Sequence, residues 1–478
     1  MHYDEAATTQ STGSGAADRK SGDRESGMKF SQSNVLRQRA HRTIPGGAHT
    51  YAKGDDQYPV ESPGFISHGR GCHVWDVDGN EFIEYGMGLR SVTLGHGFQP
   101  VVEAVSERLA QGVNFTRPAA IELECAERLQ SVNANAEMVK FAKNGSDVTT
   151  AAVKLARAYT GRDMIAVCSD HPFFSVDDWF IGTTALPAGI PQVVRGLTVA
   201  FHFNDTESVR AVFERYPERV ACLVMEPELV DHNDATFLRE ARTIAHEYGA
   251  LFILDEIITG FRLHEGGVQT LCGVVPDLST FGKALGNGFA ISALVGRRDV
   301  MELGGLLHDS ERVFLLSTTF GAETHALAAA IEVMQTYRRE GVIEALRRKG
   351  ERLIAGVSQL AVAAGVQDYF GVSGHPSNLV YYTLDNSLER SQPFRTLFLQ
   401  ETIKRGLLMP SLVVSFAHTD ADLDRTIESV GEALTVYRCA LEDGVEKYLH
   451  GRSIAPVFRE RNQGIVKAQL EQAGAEVM

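Results

Sequence analysis

The sequence predicts an α/β protein that has a mostly parallel sheet in a large domain, together with a smaller α+β domain. Short apolar runs bounded by polar loops, at residues 221–225 and 251–254, are typical of buried strands in a parallel sheet. Residues 235–248, which lie between these runs, have helical spacing, so helix and strand alternate. A length of 478 residues exceeds what one hydrophobic core usually supports, which predicts two lobes.

The first predicted elements precede this alternation. Residues 72–76 and 81–85 are rich in strand formers, and Asp78-Gly79-Asn80 between them has hairpin turn chemistry. Residues 100–109 have apolar side chains at helical spacing. The alternation then begins near residue 120 with predicted helices at 121–129 and 148–159 and predicted strands at 138–142 and 163–168. We therefore expect an α/β core over residues 100–335.

The pattern changes after residue 336. Long helices are predicted at 337–364 and 423–449, and a strand at 378–384, which indicates a separate α+β lobe over 336–450. We interpret residues 1–29, which are polar and rich in Ser, Gly and Asp, as a disordered tail. Residues 451–478 form a polar, helix-prone extension to which we assign no function.

Charge and cysteine usage exclude several classes of function. With 46 basic and 61 acidic residues the net charge is −15, which disfavours a general affinity for nucleic acid or for an anionic membrane. The six cysteines are scattered, without a C-x-x-C pair or a His cluster at zinc spacing, so no metal site is predicted. No apolar run approaches membrane-spanning length, and the first 27 residues lack a secretory apolar stretch. We expect a cytoplasmic protein.

Two segments carry residues suited to cofactor chemistry. In LFILDEIITGFR an apolar strand leads directly into Asp255 and Glu256, at the end where ligands bind in open α/β sheets. In STFGKALGNG a single lysine, Lys283, follows Gly282 among small and apolar residues, which favour a nucleophilic amine of lowered pKa. Taken alone, the acids also fit a helix cap or a loop, and most single lysines are solvated surface groups.

Two further segments resemble helix starts. Gly145 and Ser146, followed by the acidic Asp147, fit the opening turn of a helix, where free backbone N–H groups bind phosphate. The same residues also make an ordinary N-cap. Residues 316–323, LSTTFGAE, form a hydroxyl-rich turn that leads into a helix and taken alone also indicate a cap.

Together these four segments resemble the class III aminotransferases, a branch of the fold-type I enzymes that use pyridoxal 5'-phosphate (PLP). The likeness extends from Phe30 to about Leu441 and is greatest for the subgroup that includes glutamate-1-semialdehyde 2,1-aminomutase. The segments that carry it are PGGA, VWDVDGNEFIEY, LGHGFQPVVEAV, LDEIITGFR, TFGKALGNG, STTFG, LMPS and AHTDADLDRTIE. The resemblance implies a large domain with a seven-stranded sheet, and a small domain to which residues 30–99 and 336–450 both contribute.

The resemblance also implies how the chain would hold PLP. Lys283 would bind the cofactor as a Schiff base and then, as a free amine, move a proton between the substrate Cα and the cofactor carbon. Asp255 would pair with the pyridinium nitrogen and keep it protonated, which makes the ring an electron sink. Ile257 would pack on one face of the ring.

The phosphate would be bound from two subunits. Gly145 and Ser146 would hold it at the start of a helix, and Thr319 would reach the same phosphate from the neighbouring subunit. The resemblance therefore implies a homodimer as the active unit.

The chain departs from the aminomutase pattern at four places. Instead of Tyr-His-Gly it has SDHPFFSVDDW, so His171, Phe173 or Phe174 must stack on the cofactor. Lys53 stands where the aminomutase has a substrate-binding arginine, and the two side chains are not equivalent at a carboxylate. GAET replaces GGNP at residues 321–324, and LMPSLVVSFAHT lacks the glutamate before AHT. The substrate is therefore predicted to differ from glutamate-1-semialdehyde.

These residues favour an aminotransferase that takes an amino group from glutamate and passes it to an aldehyde or ketone, which could be sugar-like or a secondary metabolite. An intramolecular aminomutase is the alternative, and racemase or decarboxylase chemistry is a weaker one. A non-catalytic PLP-fold binding protein is disfavoured because Lys283 and Asp255 are both present. A dehydrogenase is disfavoured because no G-x-G-x-x-G follows a first strand.

Overall fold

The computed structural model describes residues 27–459, apart from residues 134, 172 and 229–233. Most of the predicted tail (residues 1–26) and most of the predicted extension (residues 460–478) therefore lie outside the described residues. The described strands are β1 (Ile66–Arg70), β2 (His73–Asp76), β3 (Glu81–Glu84), β4 (Met138–Ala142), β5 (Met164–Cys168), β6 (Thr198–Phe201), β7 (Val220–Met225), β8 (Leu251–Asp255), β9 (Leu278–Phe281), β10 (Ser292–Gly296), β11 (Phe370–Ser373), β12 (Val380–Thr383) and β13 (Leu407–Leu408).

The helical elements lie between these strands and on their faces. They are α1 (Ser31–Thr43), α2 (Met87–Arg90), α3 (Gln99–Gln111), α4 (Ala120–Val132), α5 (Gly145–Thr160), α6 (Asp178–Ile181), α7 (Gln192–Arg195), α8 (Thr206–Arg215), α9 (Asp234–Glu247), α10 (Val268–Cys272), α11 (Arg298–Met301), α12 (Thr324–Glu340), α13 (Val342–Ala364), α14 (Gln392–Lys404) and α15 (Asp420–Asp443).

The predicted α/β architecture is confirmed. A seven-stranded sheet has the order β4-β10-β9-β8-β7-β5-β6, and within it only β10 runs antiparallel to its neighbours. Alternate residues of β8 face opposite sides: Ile253 packs in one core with α5, whereas Phe252 and Leu254 pack in another with α8 and α9. Because both faces of the sheet are covered, its central strands are apolar throughout, and such uninterrupted apolar runs can be predicted as strands from sequence.

A second sheet joins the two ends of the chain. It has the order β1-β2-β3-β13, and β13 pairs with β3 in parallel through Leu407↔Ile83 and Leu408↔Glu84. The hairpin predicted around Gly79 is the β2–β3 pair. The small domain that the resemblance implied therefore does draw on both N- and C-terminal segments.

Two helix predictions were wrong in their bounds. The predicted helix 337–364 is two helices, α12 and α13, because Gly341 between them adopts a left-handed φ of 61°. The predicted helix 423–449 ends at Asp443, where Gly444 has a φ of 96°. Strands β6, β9 and β10 of the large sheet were not predicted. In the part of the chain that the structure describes, no helix combines the length and the apolar character that crossing a membrane requires.

Candidate active site

Three adjacent strands of the large sheet end at one edge, and each has an ionisable residue at or just after its carboxyl end. β7 pairs with β8 and β8 with β9, all in parallel, so their carboxyl ends meet. Asp255 ends β8, Glu226 directly follows β7, and Lys283 lies two residues beyond β9. This is the edge at which ligands bind in open α/β sheets. The structure therefore brings the predicted Asp255 and Lys283 together.

Asp255 is held by bonds from its own loop and from the next strand. Its Oδ1 atom accepts the backbone N–H of Ile257 at 3.0 Å and the hydroxyl of Thr280 at 2.9 Å. Burial raises the pKa of Asp255 to about 6, although these bonds and the charge of Lys283 oppose the rise. Both of these hydrogen bonds use Oδ1, and among the described residues none donates to Oδ2, which can therefore face a positively charged partner.

Lys283 occupies a strained turn. Its backbone φ is 43°, in the left-handed region that non-glycine residues rarely adopt. Burial lowers the pKa of Lys283, and the charges of Asp255 and Glu226 oppose that shift. A lysine with a lowered pKa carries more of the neutral amine that attacks carbonyl groups. Such strain persists only where the surrounding structure fixes it, as at functional sites.

Ile257 connects this edge to the start of α5. A Cβ added at Gly145 would lie 2.7 Å from Ile257 Cδ1, and one added at Gly282 would lie 3.5 Å from Ile257 Cγ2. Gly145 begins α5, whose first backbone N–H groups have no partner inside the helix. The Ser146 hydroxyl at the same turn accepts the N–H of Val176 at 3.0 Å. The predicted phosphate turn and Ile257 therefore lie beside the Lys283 turn.

The aromatic candidates differ in burial. His171 is buried, its Nδ1 accepts the N–H of Glu226 at 3.0 Å, and its Nε2 has no partner among the described residues. Burial lowers the pKa of His171 to about 4, so its ring is neutral at pH 7. Phe173 is 41% exposed and its ring packs edge-on against Phe180. Phe174 is buried in the core with Ile257. His171 is thus the candidate with a direct bond to this edge.

Thr319 lies in an exposed turn away from the sheet edge. Its carbonyl oxygen accepts a hydrogen bond from the Asn114 amide at 3.0 Å, and both residues line a polar cavity of about 220 Å³. The turn is joined to the residues that precede α5, because Lys143 forms an ion pair with Glu323 and lies 5.7 Å from the centre of the Phe320 ring. The exposed side chain of Thr319 is available to a second copy of the chain.

Lys53 is exposed at the wall of a separate cavity. This cavity has a volume of about 480 Å³ and is also lined by His49, Thr50 and Leu89. No described hydrogen bond or ion pair joins Lys53 to the ionisable residues of the sheet edge. The structure therefore does not bring Lys53 into direct contact with Lys283 or Asp255.

Glu226 is a site residue that the sequence analysis missed. It is buried, and burial together with the negative charge of Asp255 raises its pKa to about 8. The signal was present, since ACLVME has the same form as LFILDE, an apolar strand that leads into an acid. The strand was predicted at 221–225, but Glu226 after it was not predicted to belong to the site.

Arg90 is the second residue that was missed. It ends α2, a single turn in which Met87, Gly88, Leu89 and Arg90 all have positive φ, from 40° to 72°. Each non-glycine residue in this region costs about 1–2 kcal/mol. The fully buried Arg262 compensates by binding the Arg90 carbonyl at 3.0 Å and the Thr93 hydroxyl at 3.0 Å. The only sequence signal was one arginine in the otherwise uncharged run of residues 85–94.

The residues present fit PLP. The edge offers a buried carboxylate for a ring nitrogen, a half-buried amine of lowered pKa for an aldehyde and an open helix start for a phosphate. A Cβ at Gly145 would fill the space beside Ile257. Fold and site together define a PLP-dependent enzyme of fold type I.

Comparison with known proteins gives the family. The family model for class-III aminotransferases matches residues 53–371, so the chain belongs to the class III aminotransferase family. It is a PLP-dependent aminotransferase in the broad sense of that family.

Relatives within the family differ in activity. The chain is 31% identical to a glutamate-1-semialdehyde 2,1-aminomutase of Syntrophobacter fumaroxidans, over 85% of this chain and 98% of that protein. It is 30% identical to a 3-aminobutyryl-CoA aminotransferase of Cloacimonas acidaminovorans, over 85% of this chain and 97% of that protein. These relatives do not single out one substrate.

Solved structures agree with the fold. The FumI protein of Sphingopyxis sp. MTA144, in its PLP internal aldimine form, superimposes with a TM-score of 0.78 at 27% identity, covering 86% of this chain and 97% of that one. An omega-transaminase from Sphaerobacter thermophilus gives a TM-score of 0.77 at 26% identity, covering 85% and 98%. The recognition of the family from sequence is confirmed.

Proposed function

We propose that the protein transfers an amino group from an amino-acid donor, glutamate, to an aldehyde or ketone acceptor. The observation that carries this proposal is the cluster of the half-buried Lys283 with the buried Asp255 and Glu226 at the carboxyl ends of β7, β8 and β9. It combines an amine of lowered pKa with carboxyls that can hold or share a proton. PLP, when bound, supplies the electron sink that makes the substrate Cα–H bond acidic.

Lys283 is the proposed catalytic residue. Its Nζ atom would hold the cofactor covalently and, as a free amine, would accept the proton of the substrate Cα and donate it again. Burial favours the neutral amine that this role needs, while Asp255 and Glu226 stabilise the protonated amine when it forms.

The other residues hold and orient the cofactor. The Asp255 carboxylate pairs with the ring nitrogen, and the bonds from Ile257 N–H and the Thr280 hydroxyl fix its direction. Ile257 packs on one face of the ring, and His171, held by the N–H of Glu226, is the candidate for the other face. Phe173, which is 41% exposed, remains a second candidate there.

The phosphate is proposed to bind at the start of α5. The backbone N–H groups of Gly145 and Ser146 point out of the helix there, and the helix dipole favours an anion. Thr319 of a second copy would complete this site, which makes the active unit a homodimer. Large exposed apolar side chains support such an interface: Phe115, Leu306, Leu307, Phe314 and Phe320.

The acceptor is proposed to differ from glutamate-1-semialdehyde. Lys53 stands where the aminomutase has a substrate-binding arginine, and it lies at the wall of the 480 Å³ cavity. An aminomutase of that type remains the second candidate, because relatives carrying that name match 98% of their length. The six free thiols support a reducing compartment such as the cytoplasm.

The absorbance spectrum of the holoenzyme before and after addition of L-glutamate tests the proposal. The band of lysine-bound PLP should convert to the pyridoxamine form, with release of 2-oxoglutarate, and should be absent in Lys283→Ala. A band that glutamate leaves unchanged, while glutamate-1-semialdehyde is isomerised without any donor, would favour the aminomutase instead.

A further inference from the structure

The guanidinium of Arg90 is held at one corner only. Its Nε donates to Asn378 Oδ1 at 3.0 Å. Among the described residues, neither a carboxylate nor another acceptor forms a hydrogen bond with its two terminal nitrogens. The side chain is partly buried, and this burial lowers the pKa of Arg90. A partly desolvated guanidinium whose two terminal nitrogens have no acceptor among the described residues favours an anionic partner.

The backbone conformation of residues 86–92 fixes the position of the Arg90 Cα atom. Arg90 N donates to the Gly86 carbonyl at 3.0 Å and Val92 N to the Met87 carbonyl at 3.0 Å, which closes the left-handed turn α2. The Arg262 guanidinium donates a hydrogen bond to the Arg90 carbonyl. These hydrogen bonds therefore hold the turn in an unfavourable backbone conformation, which fixes the position of the Arg90 Cα atom.

The same segment is attached to the turn that carries Lys283. Asn287 Oδ1 accepts the N–H of Leu94 at 2.8 Å, and its amide donates to the Gly95 carbonyl at 3.2 Å. A Cβ at Gly288 would lie 3.4 Å from Val92 Cγ2. Arg90 is thus positioned relative to Lys283 by packed backbone rather than by a mobile loop.

The charges around Arg90 identify it as part of the same site. Glu226 and Glu228 are the acidic groups that act on it, and Arg90 in turn acts on Lys283 and Glu226. Burial and the charge of Asp255 raise the pKa of Glu226 to about 8, so this carboxyl is only a partial counter-charge for the guanidinium.

We propose that Arg90 binds a carboxylate of the amino donor and so determines that the donor is an anionic amino acid. This inference rests on the proposed function, since it assigns the group that the aminotransferase site recognises. The two terminal nitrogens can meet both oxygens of one carboxylate, and the anchored Nε keeps the plane of the guanidinium fixed. A monoanion suits a position that already lies beside two acidic side chains, because a phosphate dianion would face stronger repulsion.

Binding of glutarate to the holoenzyme, measured by calorimetry, tests this without catalysis, because glutarate carries the carboxylates of glutamate but no amine. In Arg90→Gln the dissociation constant should rise roughly 30-fold or more, as expected for losing two charge-assisted hydrogen bonds. Arg90→Lys should recover only part of the affinity, since lysine keeps the charge but not the fork. Arg70→Gln, which removes an exposed arginine on β1, is the matched control and should bind as the wild type does.

The half-saturation concentration of L-glutamate in the spectral assay should rise in parallel in Arg90→Gln. Glutarate that binds equally to wild type and Arg90→Gln, or that fails to bind the wild type, would overturn the proposal. If Arg90→Gln does not fold, Arg90→Lys decides, and wild-type affinity in it overturns the proposal. If glutarate binds through Arg90 but glutamate does not convert the cofactor, the carboxylate site stands and the glutamate-dependent function fails.

Discussion

The carboxyl edge of the large sheet and the periphery of the site are built differently. At the edge, parallel strands hold Asp255 and Glu226 in buried positions and Lys283 in a half-buried one, and each shifts the pKa of another. At the periphery, Lys53 and Thr319 are exposed on turns that contact no residue of this edge cluster by a described hydrogen bond. A charge has a large effect where water is excluded and a small one where water screens it.

This difference implies a gradient in the effect of mutations. Changes at the edge should abolish the chemistry, because no water can replace the missing group. Changes at the periphery should alter the binding of substrate, as at Lys53, or should affect the site of the neighbouring subunit, as at Thr319. The following predictions test this gradient, beginning with the largest expected effect.

Asp255→Asn should lower kcat/KM by roughly 1,000-fold, because a neutral amide cannot hold a proton on the ring nitrogen. The folded structure should tolerate the change, since an amide oxygen can still accept the bonds from Ile257 and Thr280. Steady-state kinetics and thermal melting of the same preparation measure both effects. An Asp255→Asn enzyme within about tenfold of wild type would remove Asp255 from the proposed mechanism.

Glu256→Gln is the matched control, because Glu256 is the adjacent buried carboxyl. Its oxygens accept from the Thr259 hydroxyl, Val268 N–H and Gln269 N–H, so they have a structural role. An amide would turn its NH₂ group toward one of these donors, which should cost about 1–3 kcal/mol of stability. Activity should fall much less than in Asp255→Asn.

The edge was also the part of the site that could be predicted from sequence. A buried parallel strand is an uninterrupted apolar run, so the residue after it stands out, as Asp255 did. Glu226 follows the same rule but was overlooked. Arg90 could not have been placed, because its position depends on contacts with Arg262 and Asn378, which are 172 and 288 residues away in sequence.

The fold could also be predicted from apolar patterns in the sequence, and the errors of that prediction were local. The order of helices and strands followed from apolar periodicity, whereas the break at Gly341 depended on one glycine in a left-handed conformation. The residue that stacks on the cofactor could not be chosen, because His171, Phe173 and Phe174 all carry flat rings in one short segment and only packing distinguishes them.

The second prediction concerns Thr319 and the second subunit. Thr319→Asp should reduce activity about 100-fold, because a carboxylate repels the cofactor phosphate. Mixing it with the inactive Lys283→Ala during refolding should restore about a quarter of wild-type activity if Thr319 acts across a dimer interface, since half of the sites in mixed dimers are then intact.

A mixture of Lys283→Ala and Asp255→Asn is the control for this experiment. Both residues belong to the edge of one subunit, so no mixed dimer contains an intact site. Restoration in the control as well as in the test mixture would point to subunit stabilisation rather than to a shared site. No restoration in either would place Thr319 in its own subunit's site or outside the site altogether.

The smallest effect is expected at Lys53. Because the side chain is exposed, its attraction for an anionic substrate is screened, and Lys53→Ala should raise KM by only about threefold. The effect should diminish further as ionic strength rises, which kinetics at several salt concentrations would show. Lys447→Ala, at another exposed lysine, controls for the loss of one surface charge. An increase in KM as large as that expected for Arg90→Gln would mean that the loop of Lys53 closes over the site when substrate binds, so that the periphery becomes part of the buried edge.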